Sequence, residues 1–418
     1  KGPRQGGFHR TAARPVSKQS RILTEWGRYG LADKKIIKFS RKRNKKLAKK
    51  IYRIVRIPLA VLAVVFAVFL SARMLGEVAV SNISDAFRQI PYIFSHGSGY
   101  PCSVDAAGNI RAELIGDSPA VLGSGSLTVY SSSARKMNET QLSSADSKIV
   151  SKNGRALLYS NTSNTLNLSG KTESLGSLTV DSPVTVAALA SNGSVAAAFS
   201  SEQAQSVLAV YNKRSKEIFR WNCSKEYISA VDLSRSGRTV AVSAVGAENA
   251  QVYSRFLIFD VKKSEPRVDI KVDGAMILRL VCGSSGKVIA VCDNRTLVYD
   301  KSGGQLLELA YGDGNLVSAV SDDKGNTLVC YKDSGGSKIN AARISAAGKL
   351  TCTVTAEAQP DCVAVRAGRF VLVSGKTAVE YGSAGQERRR FETAENASLV
   401  MLASSCVYTL ENSQLCKY

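Results

Sequence analysis

Chemistry in this chain would fall to carboxylates, hydroxyls and thiols, because its 418 residues include only two histidines, His9 and His96. Residues 100–418 contain none. That removes Ser-His-Asp and Cys-His nucleophiles, histidine-ligated zinc and imidazole acid–base catalysis from the larger part of the chain. Paired carboxylates of the kind that cleave glycosides remain, which keeps a hydrolase or lyase in view. Asp232, Asp260, Asp300 and Asp313 are the candidates, but each falls where a strand is expected to end, and aspartate there ordinarily closes a turn. The run 321–326, SDDKGN, has some features of a calcium loop without its alternating ligands or closing glutamate. Two tryptophans, Trp26 and Trp221, are too few to stack around a quinone. No catalytic residue, metal site or cofactor is expected, and the chain reads as a non-enzyme.

The nine cysteines are Cys102, Cys223, Cys282, Cys292, Cys330, Cys352, Cys362, Cys406 and Cys416, with no CxxC pair among them. Cys292 and Cys330 sit at matching places in successive apolar runs, where a thiol serves as a small core residue. The odd count leaves at least one unpaired in any intramolecular scheme.

The elements that carry these residues repeat. An apolar run, a tight turn with glycine and a second apolar run recur around Gly154, Gly193, Gly237, Gly286, Gly325 and Gly368, spaced 39 to 49 residues apart. A third run follows in most units, often ending in an aromatic: LTVY (127–130), LAVY (208–211), FLIF (256–259) and TLVY (296–299). A fourth, more polar run comes next, as in residues 305–309. Four strands per unit of this length define a β-propeller blade. Such a blade buries its faces only against its neighbours. Residues 109–142 form an earlier unit of the same pattern. Residues 398–418 form a last one that stops a strand short, leaving an edge to be covered. The spare run 100–104 supplies the cover, giving eight blades; seven is the alternative. Closure would lay the strands of Cys102 and Cys416 side by side, so that a disulfide forms if their register matches.

The chain resembles the bacterial domain-of-unknown-function family 5711, membrane-anchored propellers found mainly in clostridial Firmicutes. The resemblance lies in YPCSV (100–104), AVYNK (209–213), KEIFRWN (216–222), YISAVDLSRSG (227–237), AEN (247–249) and IFDVKKSEP (258–266). It covers nearly all of residues 50–418, the basic N-terminal extension being less typical. It implies fold and topology, and no activity or catalytic residue.

Ahead of the repeats, residues 57–72 read IPLAVLAVVFAVFLSA without a charge, between Arg56 and Arg73. Ile57, Leu59, Val61, Leu62, Val64, Val65, Phe66, Val68, Phe69 and Leu70 give this segment its apolar surface. Sixteen helical residues cover about 24 Å of a hydrocarbon core of about 30 Å, and the snorkelling arginines make up the difference. A cleaved signal peptide would have a shorter basic leader and small residues at the cleavage site. A buried soluble helix would show a polar face. Residues 1–56 carry 19 Lys and Arg against Glu25 and Asp33, which is 17 of the net +22. That asymmetry predicts a signal-anchor over 56–75 with its N-terminus in the cytoplasm and everything beyond it exported.

The division expected is a basic tail over 1–55 with an amphipathic stretch at 31–55, the anchor, an amphipathic stem and linker over 76–99, and an extracellular propeller over 100–418. In the stem, Ile83, Phe87 and Ile90 recur at helical spacing, and 95–99 reads as a flexible joint. Lys42, Arg43, Lys45, Lys46, Lys49 and Lys50 beside the span predict contact with anionic lipid. No nucleic-acid reader motif accompanies them, so nucleic acid is not expected as a partner. Three functions follow in order: a non-catalytic binding or scaffold module for an extracytoplasmic protein or glycan; a sensor passing extracellular binding to the tail; and the carboxylate enzyme. Replacing those six cations with glutamine is expected to weaken binding of a 1–56 peptide to anionic vesicles, and wild-type binding to fall with salt. Equal binding to neutral vesicles would reject the electrostatic account.

Overall fold

The computed structural model describes residues 97–418 apart from 106, 107, 124, 313, 334, 336 and 337. Thirty-two strands fall into eight separate four-stranded antiparallel sheets. Blade 1 is built from Arg111–Ile115, Ser118–Leu122, Ser126–Tyr130 and Lys136–Gln141. Blades 2 to 7 repeat that order along the chain. The four runs LTVY, LAVY, FLIF and TLVY are all third strands. First strands of successive blades touch one another, including those of blades 8 and 1, so they line a central channel and the ring is closed.

Blade 8 takes Ala397–Leu402, Val407–Glu411 and Gln414–Lys417 from the end of the chain and its outer strand, Cys102–Ser103, from the start. Closure by residues 100–104 therefore holds, and so does the count of eight. The disulfide does not form. Cys102 stands opposite Leu415. Because side chains alternate along a strand, that register turns Cys416 to the other face of the sheet, and all nine cysteines are free thiols. The joint 95–99 is also corrected at its described end. Gly97 N donates to Ser133 Oγ (3.3 Å) and Gly99 N to Ser133 O (3.1 Å). A Cβ on Gly97 would lie 2.1 Å from Ser133 O, so the chain is fixed against blade 1 from residue 97 onward.

The apolar interior is distributed between blades. Buried side chains form eight clusters, and each joins one blade to the next. Second and third strands are almost wholly buried, as in Val195–Phe199 and Ser206–Tyr211, whereas outer strands such as Glu387–Glu392 face solvent. This is why the first three runs of each repeat read as apolar and the fourth as polar. The closing cluster packs Val104, Val121 and Tyr130 against Met401, Tyr408 and Leu415, with Tyr100 and Tyr408 ring centroids 5.3 Å apart. Cys292 and Cys330 are fully buried in second strands, and burial pushes both thiols up to about 12.

The stem, the anchor residues Arg56 to Arg73 and the lipid-contact lysines and arginines lie outside the described residues. Among the described residues no helix is long and apolar enough to cross a membrane. Deleting residues 100–104 is expected to lower the melting temperature on the order of 10 °C, because it bares a strand edge and removes part of one interface. Deleting the basic tail is expected to leave melting unchanged. Equal melting of the two deletions would contradict closure by the N-terminal strand.

Candidate functional site

Antiparallel order gives the ring two unlike faces. Turns between first and second strands, and between third and fourth, lie on one face; the remaining turns lie on the other. All six predicted turn glycines, Gly154, Gly193, Gly237, Gly286, Gly325 and Gly368, have positive φ and sit between first and second strands, so they circle one mouth of the channel. Two of them also need the missing side chain for space. A Cβ on Gly237 would meet Ser194 Oγ of the preceding blade at 2.7 Å, and one on Gly325 would meet Gly283 Cα at 3.0 Å. Neighbouring turns are tied by Asn153 Nδ2 to Ser191 O (3.0 Å) and Asn192 Nδ2 to Ser236 O (2.7 Å). Across the closure, Arg366 of blade 7 pairs with Asp117 of blade 1 at 2.8 Å, and Ser404 of blade 8 donates to the same carboxylate.

The channel holds two hollows of about 220 and 270 Å³ that share Glu113, Ser151, Lys152, Ser321 and Asp322 in their walls. Lys152 of blade 2 faces Asp232 of blade 4 at 3.6 Å, their side chains 8% and 13% exposed. Asp232 also accepts from Cys282 N at 2.6 Å. Burial lowers the Lys152 pKa, but the charge of Asp232 more than reverses this and holds the ammonium above its ordinary range. Removing one partner of such a buried pair costs about 3–5 kcal/mol. Burial and then the Asp232 charge push the Cys282 thiol well above its usual value, which leaves it a poor nucleophile. Glu113 is half-buried by its own surface but enclosed by the channel walls. That desolvation raises its pKa despite a hydrogen bond from Ser151 Oγ at 2.6 Å and the charge of Arg279. Arg279 donates to Ser321 Oγ at 3.2 Å across the seam between blades 5 and 6. The arrangement offers charge and hydrogen bonds to a polar ligand.

The aspartates named from the sequence are not brought together as a pair. Asp232 is no turn residue: it lies within the inner strand Tyr227–Leu233 and points at Lys152. Asp260 and Asp300 do close turns, accepting from Lys262 N (3.0 Å) and from Ser302 N (2.7 Å) and Gly304 N (2.9 Å). The hydrogen bonds from Ser302 and the neighbouring backbone depress the Asp300 pKa. Asp313 lies outside the described residues. In the run 321–326, Asp322 is taken by Lys324 N, Asn326 N and Asn326 Nδ2, which makes it a turn. Among the described residues no cluster of three or more His, Cys, Asp or Glu could hold a metal. Trp221 packs on Phe259 at 5.1 Å.

Sequence reasoning missed Glu113, Lys152 and Arg279. One signal was present. Lys152 and Arg366 are the last residues of their inner strands, whereas the other blades end theirs on a neutral residue. It also missed an apolar group on the opposite face. In blade 4 the second and third strands run ten residues each, Thr239–Glu248 and Gln251–Asp260, and project beyond the ring as a hairpin. Tyr227, Val252, Met276 and Leu278 in blades 4 and 5 are exposed on that face, Tyr227 by 61%.

Eight four-stranded blades around a charged channel define the class: a closed eight-bladed β-propeller. Within that class the chain belongs to the family of unknown function DUF5711, whose model matches residues 113–415. Among solved structures it is similar to the C-terminal WD40 domain of Sif2, with a TM-score of 0.53 and 9% identity over 76% of this chain and 98% of that one. Sqt1 of Saccharomyces cerevisiae gives 0.51 and 8% over 76% and 97%. BamB from Moraxella catarrhalis gives 0.47 and 9% over 77% and 98%. These likenesses concern the fold. No curated protein matches the sequence.

Glu113 yields a pH prediction. Its folded pKa is raised, so the folded state holds its proton more tightly than the unfolded chain does. Stability is therefore lost as pH rises from the unfolded value, about 4.3, through the higher folded one. Glu113→Gln is expected to melt above wild type at neutral pH, the two converging below about pH 4. A gap that does not change with pH would mean the carboxyl is not desolvated.

Proposed function

We propose that this protein is a non-catalytic binding module, held at the outer surface of the cell membrane by the signal-anchor 56–75 with its basic tail in the cytoplasm. The observation that carries the binding role is the exposed apolar group Tyr227, Val252, Met276 and Leu278 beside the projecting hairpin. Exposed apolar residues gathered on one sector of a soluble domain are a mark of recognition surfaces. Two of the four, Tyr227 and Leu278, lie on adjacent inner strands at the channel mouth, so a bound segment would reach both the rim and the polar channel. The chain enters the ring on the other face, where Gly97, Gly99 and Tyr100 bond to the turn at Ser131 and Ser133. The apolar group thus lies on the face opposite the one at which residues 97–100 join the ring. Its chemistry fits a protein partner with an apolar segment better than a glycan. Propeller folds of many kinds serve as binding platforms, which supports the reading by analogy.

Two measurements test this. Protease added to intact protoplasts is expected to digest the chain beyond residue 75 and spare the tail; a protected propeller would refute the topology. A photo-crosslinking residue at position 252, in cells, is expected to give one discrete protein adduct. Tyr227→Asp with Leu278→Asp is expected to reduce it about tenfold, as loss of central contacts does. Adducts of equal yield from position 236, on the other face, would refute the assignment of the binding surface.

A further inference from the structure

In blades 3 and 4 the two faces differ in charge. In blades 3 and 4 the turns on the tether face carry Arg214, Lys216, Arg235, Arg238, Lys262 and Lys263, all exposed. Among the described residues none of these six forms an ion pair with a carboxylate. The acids in those turns are Asp260, whose Oδ1 is taken by the Lys262 backbone N–H, and Glu265. On the opposite face the same two blades expose Asp181, Glu202, Glu248 and Asp273, but there Asp181 is paired with Arg220 and both Glu248 and Asp273 with Lys271. Cations that pack a fold usually find partners, as Arg220 and Arg255 do a few residues away on outer strands and neighbouring third strands. Six that find none, grouped at turn tips of one face, form a shallow basic surface with nothing in the fold to neutralise it.

We propose that this basic face docks on the anionic headgroups of the same bilayer that anchors the chain, so that the propeller lies against the membrane with its apolar face outward. Three features point to a bilayer as the occupant. The cations sit at turn tips of one face and so suit an extended surface better than a pocket ligand. The chain joins the ring on this same face, where residues 97–100 bond to the turn holding Ser131 and Ser133. On the opposite face of the same two blades the charges are mostly paired, so attraction to anionic lipid acts through the basic face. The proposal rests on the anchored reading above.

Lysine footprinting tests it on the full chain reconstituted into liposomes of phosphatidylcholine or of equimolar phosphatidylcholine and phosphatidylglycerol. Acylation of Lys216, Lys262 and Lys263 is expected to fall about threefold or more in the anionic liposomes and to recover at high salt, since exposed charges are screened. Lys225 and Lys376, on the opposite face, are expected to react equally in both. Arg214→Glu with Arg235→Glu and Arg238→Glu cancels the charge of the six-residue group but keeps the three reporter lysines, and is expected to abolish their protection while the anchor still holds the chain in the liposome. Equal reactivity of the reporter lysines in both liposomes would overturn the docking. Protection only on adding a soluble teichoic acid to the neutral liposomes would also overturn it, in favour of a wall polymer. Release of the chain from neutral liposomes by carbonate would instead refute the anchor, and the footprint on anionic vesicles would still decide whether the face binds lipid.

Discussion

Closure of the ring is the constraint on which the rest of this structure depends. A blade has two apolar faces and no layer of its own to cover them, and the buried apolar clusters here each span two neighbouring blades. Eight interfaces satisfy eight blades only when the last meets the first. An open array would leave two faces and a strand edge in water at once. The chain meets this requirement at three radii. Outside, Cys102–Ser103 pairs with Gln414–Lys417. Midway, Tyr100, Val104 and Tyr130 pack on Tyr408 and Leu415. At the mouth, Arg366 and Ser404 converge on Asp117. Because the outer link uses a strand from the other end of the chain, neither terminus can leave without exposing the other.

The channel groups are a consequence of that closure. Lys152 and Asp232 are eighty residues apart and belong to blades that do not adjoin, yet their charges meet at 3.6 Å because the inner strands of a closed ring converge. A lysine so buried is tolerable only beside a carboxylate. The carboxylate is in turn oriented by the Cys282 N–H of a third blade. Three blades are thus linked through one aspartate. The pair sets satisfied charge in the wall of the channel beside its two hollows, and this keeps the channel polar.

What was legible in the sequence is what a repeat enforces locally. The glycine turns, the apolar second and third strands and the missing last strand all follow from a unit that must look alike in every blade, because every blade meets the same neighbours. The reading of 100–104 as the closing strand came from counting: one strand was short and one was spare. What escaped was whatever depends on where blades meet. Asp232 reads as a strand-end aspartate because a serine-rich turn follows, but Leu233 continues the strand and Lys152 arrives from elsewhere. Cys102 and Cys416 were on the right strands, and a register of one residue separated them, which pattern alone does not fix. Tyr227 and Leu278 are ordinary strand residues by type; only the assembled ring shows that nothing covers them.

Alternation of strands explains how one short repeat can support two different surfaces. Each turn returns the chain to the opposite face, so residues some ten positions apart are separated by the height of the blade, while those some twenty apart lie side by side. In blades 3 and 4 the sequence uses this period: KRSK (213–216), RSGR (235–238) and KKSEPR (262–267) recur on one face, and acids and apolar residues fall in the turns between. The fold needs only glycine, serine or asparagine at these tips, since the core is complete without their side chains. Arg214, Lys216, Arg235, Arg238, Lys262 and Lys263 at these tips form no ion pair among the described residues. The six-residue basic group lies in blades 3 and 4 and the apolar group in blades 4 and 5, so the two surfaces share blade 4. The blades opposite, 7, 8 and 1, carry the closure. The closure contacts and the basic and apolar groups occupy different arcs of the ring.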